Sequence, residues 1–175
     1  MYKDEIVKAM TYLGEDPRTI FLGQTVLYEG SAMFGTLKGV PEDKRLEIGV
    51  AEEMQMGIST GLSLRGFIPI SIYPRFDFLI LATNQLVNHL DKLDEMSHGE
   101  FRPKVIIRTA VGGKKPLYPG VQHCSDYTDV YKGWLKNIEV IKFKNSGEIF
   151  ETYRQALNDD KSYLLIEEAE RYEEE

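Results

Sequence analysis

Three short stretches of the chain carry residue types that can do chemistry. The first is "GVAEEMQMGISTGLSLRG", residues 49–66, where Glu52 and Glu53 open a helical pattern. Paired carboxyls can hold or pass protons, but acids also favour helix starts, where they complement the dipole by about 0.3–1 kcal/mol. Successive helical residues diverge by about 100°, so the two acids cannot share a face. Ala51, Met54, Ile58 and Leu62 form an apolar stripe; Glu52, Gln55, Ser59 and Ser63 form a small polar one. Glu53, Gly57 and Gly61 lie on another side, where missing side chains permit close backbone approach. Spacing thus separates an inner acid from an outer one without saying which is which.

The second stretch is "YPRFDF", Tyr73 to Phe78, whose aromatics either close a core or offer a flat platform to a heteroaromatic ring. The third is "GVQHCS", with His123 inside the long loop 111–126. Loops above about 12–15 residues are uncommon and often functional. A histidine there can act as acid, base or hydrogen-bond donor, or simply be a partly exposed polar residue. Cys124 reads as a small buried residue rather than a nucleophile. His89, His98 and His123 show no metal-ligand spacing, so no metal site is expected on this chain. "GGKKP", 112–116, lacks the spacing of a phosphate-binding P-loop.

These groups need elements to position them, and the chain alternates. Helical spacing covers 3–13, β-like runs cover 19–23 and 45–50, and a helix spans 51–65. A strand at 67–73 leads into one long apolar helix over 76–96, then the clearest buried strand at 104–110. A short helix around 127–135, a strand at 138–143, a helix at 147–160 and a strand at 162–168 complete the pattern. Strands alternating with helices predict an α/β fold, a three-layer domain with a mainly parallel central sheet flanked by helices. Such sheets bind ligands beyond the carboxyl ends of their strands. The loop after Gly23, the turn at 50–52 and the loop after Ala110 all follow strand ends and can converge there.

Composition narrows the function classes. The 175 residues are 42% hydrophobic and 28% charged, which fits one soluble domain, 1–168, followed by a short tail. The net charge of -7 comes mostly from the last nine residues, "EEAERYEEE", which hold six glutamates against one arginine. Residues 169–175 are therefore expected as a frayed, solvated acidic tail. No basic stripe points to nucleic acid, no apolar run is long enough for a membrane helix, and the charged N-terminus does not read as a secretion signal. A single cysteine excludes an intrachain disulfide and suggests the reducing cytoplasm.

Taken in order, "VAEEMQMGISTGL", "IPISIYPRFDFLILATNQLVNHLDKL", "KVIIRTAVGG" and "GVQHCSDYTDVYKGWLKNIEVIKF" resemble the pyrimidine-binding domain of thiamine diphosphate enzymes. The beta subunits of 2-oxo acid dehydrogenases look nearest, and transketolase more distant. The match runs over 19–168; each motif alone is weak, and the four in order are specific. The resemblance implies that Glu52 bonds the pyrimidine ring nitrogen and favours the imino tautomer that deprotonates the thiazolium carbon. That task needs a carboxyl able to hold its proton, which burial promotes. It implies that Phe78, six residues before "NQ", stacks on the pyrimidine, with Phe76 and Tyr73 as supporting wall. His123 matches the family's histidine that lines the substrate channel and assists proton transfer.

The chain also departs from the family. The acidic pair after the first strand is "GQT" here, the "DQ" pair is "NQ", and no "GDG" with a following asparagine marks a diphosphate and magnesium site. The third domain of the dehydrogenase beta chains is missing. The resemblance therefore implies a half-site, completed by a separate alpha-like subunit that holds Mg2+ and the diphosphate, in an assembly of two of each chain. The implied activity is cleavage or formation of a C–C bond next to a carbonyl: 2-oxo acid decarboxylation with carboligation, or two-carbon transfer from a sugar. The alternative is a catalytically idle α/β binding or regulatory subunit.

Overall fold

Among the described residues six strands alternate with helices, and all of them pair in parallel. In the computed structural model, residues 1–113 and 118–173 are described. The elements are α1 (Tyr2–Glu15), β1 (Thr19–Gly23), β2 (Arg45–Glu47), α2 (Glu52–Ser63), β3 (Ile68–Tyr73) and α3 (Phe76–Leu79). They continue with α4 (Leu93–Met96), β4 (Ile106–Val111), α5 (Thr128–Trp134), β5 (Ile138–Lys142), α6 (Ser146–Asn158) and β6 (Ser162–Glu168). The sheet order is β2-β1-β3-β4-β6-β5, and every ladder is parallel.

Strand alternation sorts the side chains onto two faces. Ile68, Ile70 and Ile72 of β3 join Ile106 and Ala110 of β4 in a core closed by α1 and α6. Tyr73, Ile107, Leu164 and Ile166 face the other way, under Met56 of α2, Phe76 and Leu79 of α3, and Tyr131 of α5. This is the three-layer α/β arrangement read from the sequence, with both faces of the sheet covered, as parallel sheets require. Asn145 and Glu148 start α6 with a reciprocal capping box.

Arg108 and Glu167 sit fully buried in the first core, with Arg108 Nη2 2.8 Å from Glu167 Oε2. Tyr153 and Tyr172 donate their hydroxyls to the same carboxylate, and Thr36 accepts from Arg108. The pair is thus hydrogen-bonded on most sides, the condition for burying two charges.

Two expectations are corrected. The long helix over 76–96 is broken: after α3 come a 3-10 turn (Ile80–Ala82), a π-helical turn (Gln85–His89), a second 3-10 turn (Leu90–Lys92) and then α4. The cause lies in a distant anchor. Asp91 is buried, and its carboxylate accepts the backbone N–H groups of Lys136 and Asn137. A wide turn holds one extra residue and rotates the downstream helix; here it precedes the residue that is pulled inward. The acidic tail is also not frayed over 169–173. It forms a 3-10 helix, and Tyr172 is buried against Tyr2 and Glu167. A buried aromatic outweighs the surrounding glutamates. Glu174 and Glu175 lie outside the described residues, as do Lys114 to Leu117, which include most of "GGKKP".

Candidate active site

Helix α2 begins directly at the carboxyl end of β2 and lies across β1 and β3, and its polar stripe is the one turned inward. Glu52, Gln55 and Ser59 are buried, whereas Met54 is 52% exposed. The reason is beneath them. The strand alternation of β3 presents Ser71 and Tyr73 to this face. Gln55 Nε2 donates to Ser71 Oγ at 3.1 Å and to the Ile72 carbonyl at 2.9 Å. The Tyr73 hydroxyl donates to the Glu52 carbonyl at 3.3 Å. Gly23 closes this corner: a side chain there would collide with the Ile72 carbonyl and meet Gln55 Nε2 at 3.4 Å. Burial holds the Tyr73 hydroxyl well above the usual tyrosine range, Ser71 lowers it in part, and the Glu52 carboxylate raises it further.

The two acids of the opening motif are therefore separated. Glu52 is 5% exposed and heads an open cavity of about 770 Å³. Glu53 is exposed and accepts from Gln85 Nε2 at 3.3 Å. The cavity is lined by Ala51, Glu52, Glu53, Met54, Ile58, Leu81 and Gln85 among others, so both acids border largely apolar walls, Glu52 buried and Glu53 exposed.

The loop after β1 is organised by an acid that the motif reading did not single out. Glu47, at the end of β2, accepts the N–H groups of Thr25, Val26 and Leu27 at 2.6, 2.8 and 2.9 Å. Thr25 adopts φ 58°, unusual for a β-branched residue, and its hydroxyl is tied to Ser31. "GQT" thus needs no acid of its own, because Glu47 supplies one from the neighbouring strand. An acid alone in the strand pattern "RLEIGV" was the available signal.

Phe78 and His123 come together as one unit. Their rings meet edge to face, with centroids 5.6 Å apart. Two anchors bring the His123 loop back to the sheet. Ser125 N–H donates to Asp77 at 3.3 Å. Gly112 lets the His123 carbonyl approach so closely that any side chain there would collide with it. Phe76 has a different place: it is fully buried, stacked on Tyr131 at 5.4 Å and edge-on to Tyr127. The wall role expected of Phe76 is corrected to holding α3 from the core side, since a sealed ring offers no face to a ligand. Cys124 is half-buried rather than buried, with Sγ 3.9 Å from the Gly113 carbonyl. No hydrogen bond among the described residues joins Glu52 to His123.

These features lie where an α/β sheet binds ligands, beyond the carboxyl ends of β1, β3 and β4. Another cleft, lined by Asp91, Arg102, Lys136 and Ser162, sits at the amino ends of β5 and β6 instead. Among the described residues no cluster of three or more His, Cys, Asp or Glu could hold a metal ion. No helix there is long and apolar enough to cross a membrane.

In sequence the chain is similar to beta subunits of 2-oxo acid dehydrogenases and in fold to transketolases, which supports the resemblance read from the motifs. No family model matches the chain. Among sequence relatives, 3-methyl-2-oxobutanoate dehydrogenase subunit beta of Mycobacterium tuberculosis is 27% identical over 167 residues, covering 91% of this chain and 46% of the relative. Pyruvate dehydrogenase E1 component subunit beta-4, chloroplastic, of Oryza sativa subsp. japonica is 28% identical over 180 residues, covering 89% and 44%. The chain thus spans about half the length of the curated relatives it matches. Among solved structures, a split gene transketolase in an inactive beta4 tetramer superposes with TM-score 0.73 at 20% identity, over 96% of this chain and 50% of that one. Transketolase from Leishmania mexicana gives 0.71 at 16% identity, over 95% and 25%.

Proposed function

We propose that this chain is the pyrimidine-binding, beta-like half of a two-chain thiamine diphosphate enzyme that makes or breaks a C–C bond next to a carbonyl. The observation that carries this reading is Glu52: a carboxyl held 5% exposed at the head of α2, opening onto an apolar cavity. The residues fit one end of the cofactor. Glu52 offers a carboxyl to a ring nitrogen, and Phe78 offers an aromatic face at the same end of the sheet. When bound, the cofactor supplies a nucleophilic carbon that adds to the substrate carbonyl. Glu52 holds and returns the proton that this activation requires. His123 serves the substrate side, edge-on to Phe78.

The diphosphate and Mg2+ fall to a separate alpha-like subunit, and two copies of each chain form the assembly. An exposed apolar rim beside Glu52 supports a partner there: Leu81 is 63% exposed, and a side chain added at Gly57 or Gly61 would meet nothing within 4 Å. Decarboxylation with carboligation, or two-carbon transfer to a small acceptor, fits a small-molecule site of this kind. The chain acts in the cytoplasm on an oxo acid or sugar.

Calorimetry with thiamine diphosphate and Mg2+ tests the half-site. The chain alone is expected to bind more weakly than about 100 μM, and the chain mixed with its diphosphate-binding subunit at about 1 μM, which is about -8 kcal/mol. Micromolar binding by the chain alone overturns the two-chain reading.

A further inference from the structure

We propose that Arg75 is a specificity-determining residue that takes the carboxylate of a small organic acid substrate beside His123. The proposal rests on the half-site reading and adds to it the substrate's anionic group and the residue that recognises it. Arg75 leaves β3 across Pro74, at the carboxyl ends of the strands. A methyl group at Gly112 would meet the His123 carbonyl and lie 2.6 Å from Arg75 Nη1. The guanidinium and the His123 backbone therefore converge on one point of the sheet edge. Phe78 flanks His123 from the other side. The cation thus stands beside the His123 backbone, and the aromatic ring beside the His123 imidazole.

Arg75 is half-buried as a residue, and among the described residues its guanidinium has neither an ion pair nor a hydrogen bond. It differs in this from the other buried or half-buried arginines. Arg45 donates to the carbonyls of Leu37 and Val40, Arg108 is bound to Glu167, and Arg171 donates to Lys144. A partly desolvated cation without an acceptor is costly, and a planar guanidinium is shaped for two parallel bonds to a carboxylate. Glu170 lies exposed beside Gly113 and makes no ion pair with Arg75, and other acids near this end of the sheet are engaged elsewhere. Asp77 accepts from Ser125, and Asp126 and Glu168 share Lys142 at 2.9 Å each. Because Lys142 is neutralised in this way, Arg75 is left, among the described residues, as the cation beside His123 without a counter-charge, and its planar guanidinium suits a carboxylate. His123 Nδ1 is a buried polar atom that has no partner among the described residues.

The test uses the whole chain without cofactor, at constant ionic strength. Nitrogen-proton NMR follows the Arg75 side chain and the His123 ring during titration with pyruvate, pyruvamide and inorganic phosphate. Pyruvate is expected to shift both signals saturably in the millimolar range, and pyruvamide, its neutral analogue, to shift neither. Arg75→Gln should weaken pyruvate binding at least about tenfold, and Arg75→Lys should restore part of it, each with the backbone spectrum of the parent chain. Absence of saturable shifts, equal binding by Arg75→Gln, or tighter binding of phosphate than of pyruvate overturns the proposal. None of these outcomes touches cofactor binding by the assembled subunits, so the half-site reading stands or falls separately.

Discussion

Glu52 and Glu53 differ by one position, yet one is buried and the other exposed, and this difference makes their roles separable by mutation. Glu52→Gln keeps size and hydrogen bonding but cannot deliver a proton. In the assembled enzyme it should slow hydrogen–deuterium exchange at the thiazolium carbon by about 100–10,000-fold. Glu53→Gln, which alters only an exposed contact to Gln85, should leave exchange unchanged. The reverse result would shift the assignment by one residue, and silence of both would favour an idle regulatory subunit. Phe78→Ala should weaken cofactor binding by about 1–3 kcal/mol through loss of an aromatic face, read by calorimetry on the complex. An unchanged affinity in a folded variant would remove Phe78 from the platform. Gly112→Ala should displace the His123 loop, because the carbonyl of His123 already occupies the space of a methyl group. Its signature is a changed His123 ring signal together with a loss of stability, because the atom displaced is backbone and not a flexible side chain.

The elements around these residues were legible to very different degrees. The strands at 19–23 and 162–168 lie where the pattern put them, because central parallel strands read as short apolar runs bounded by turn residues. The inward face of α2 was less legible, since Gln55 and Ser59 look like a solvent stripe until Ser71 and Tyr73 are known to lie beneath them. The breaks in 76–96 were not legible at all, because Asp91 is claimed by backbone groups 45 and 46 residues away. The closeness of Arg75, Gly112 and His123 depends on three separate strand-end loops, which no local window joins. Two elements give stability predictions. At the turn between α1 and β1, hydrogen bonds from Arg18 hold the Asp16 carboxyl at about 2, below its ordinary 3.8. Its ionised form stabilises the fold above about pH 4, and that contribution is lost as pH falls toward 2. Asp16→Asn should therefore flatten this part of the acid-unfolding curve measured in urea. Across β4 and β6, Glu167→Gln leaves Arg108 buried without its counter-charge, and should cost about 3–5 kcal/mol in denaturant unfolding.

The sheet is covered on both faces, and beside the Glu52 cavity lies an uncovered rim where Leu81 and Met54 stand exposed. If a diphosphate-binding subunit covers this rim, Leu81→Asp should abolish co-purification of the two chains while leaving the thermal melt of this chain within a few degrees of the parent, as exposed substitutions do. Retained assembly would place the partner elsewhere. The all-parallel sheet has a further consequence, and it is kinetic. A parallel ladder cannot close by a hairpin, so each strand waits for a distant one: Thr19 for Ile68, Ile106 for Tyr163. Nothing local rewards the early stages, and loop-closure entropy must be met before the ladders form. Refolding from urea should accordingly be slow, in milliseconds to seconds, and β4 should be the last strand to be flanked on both sides, since its partner β6 ends the sheet sequence. Until then its bare backbone edges are available to other chains, so yield on refolding should fall steeply with protein concentration.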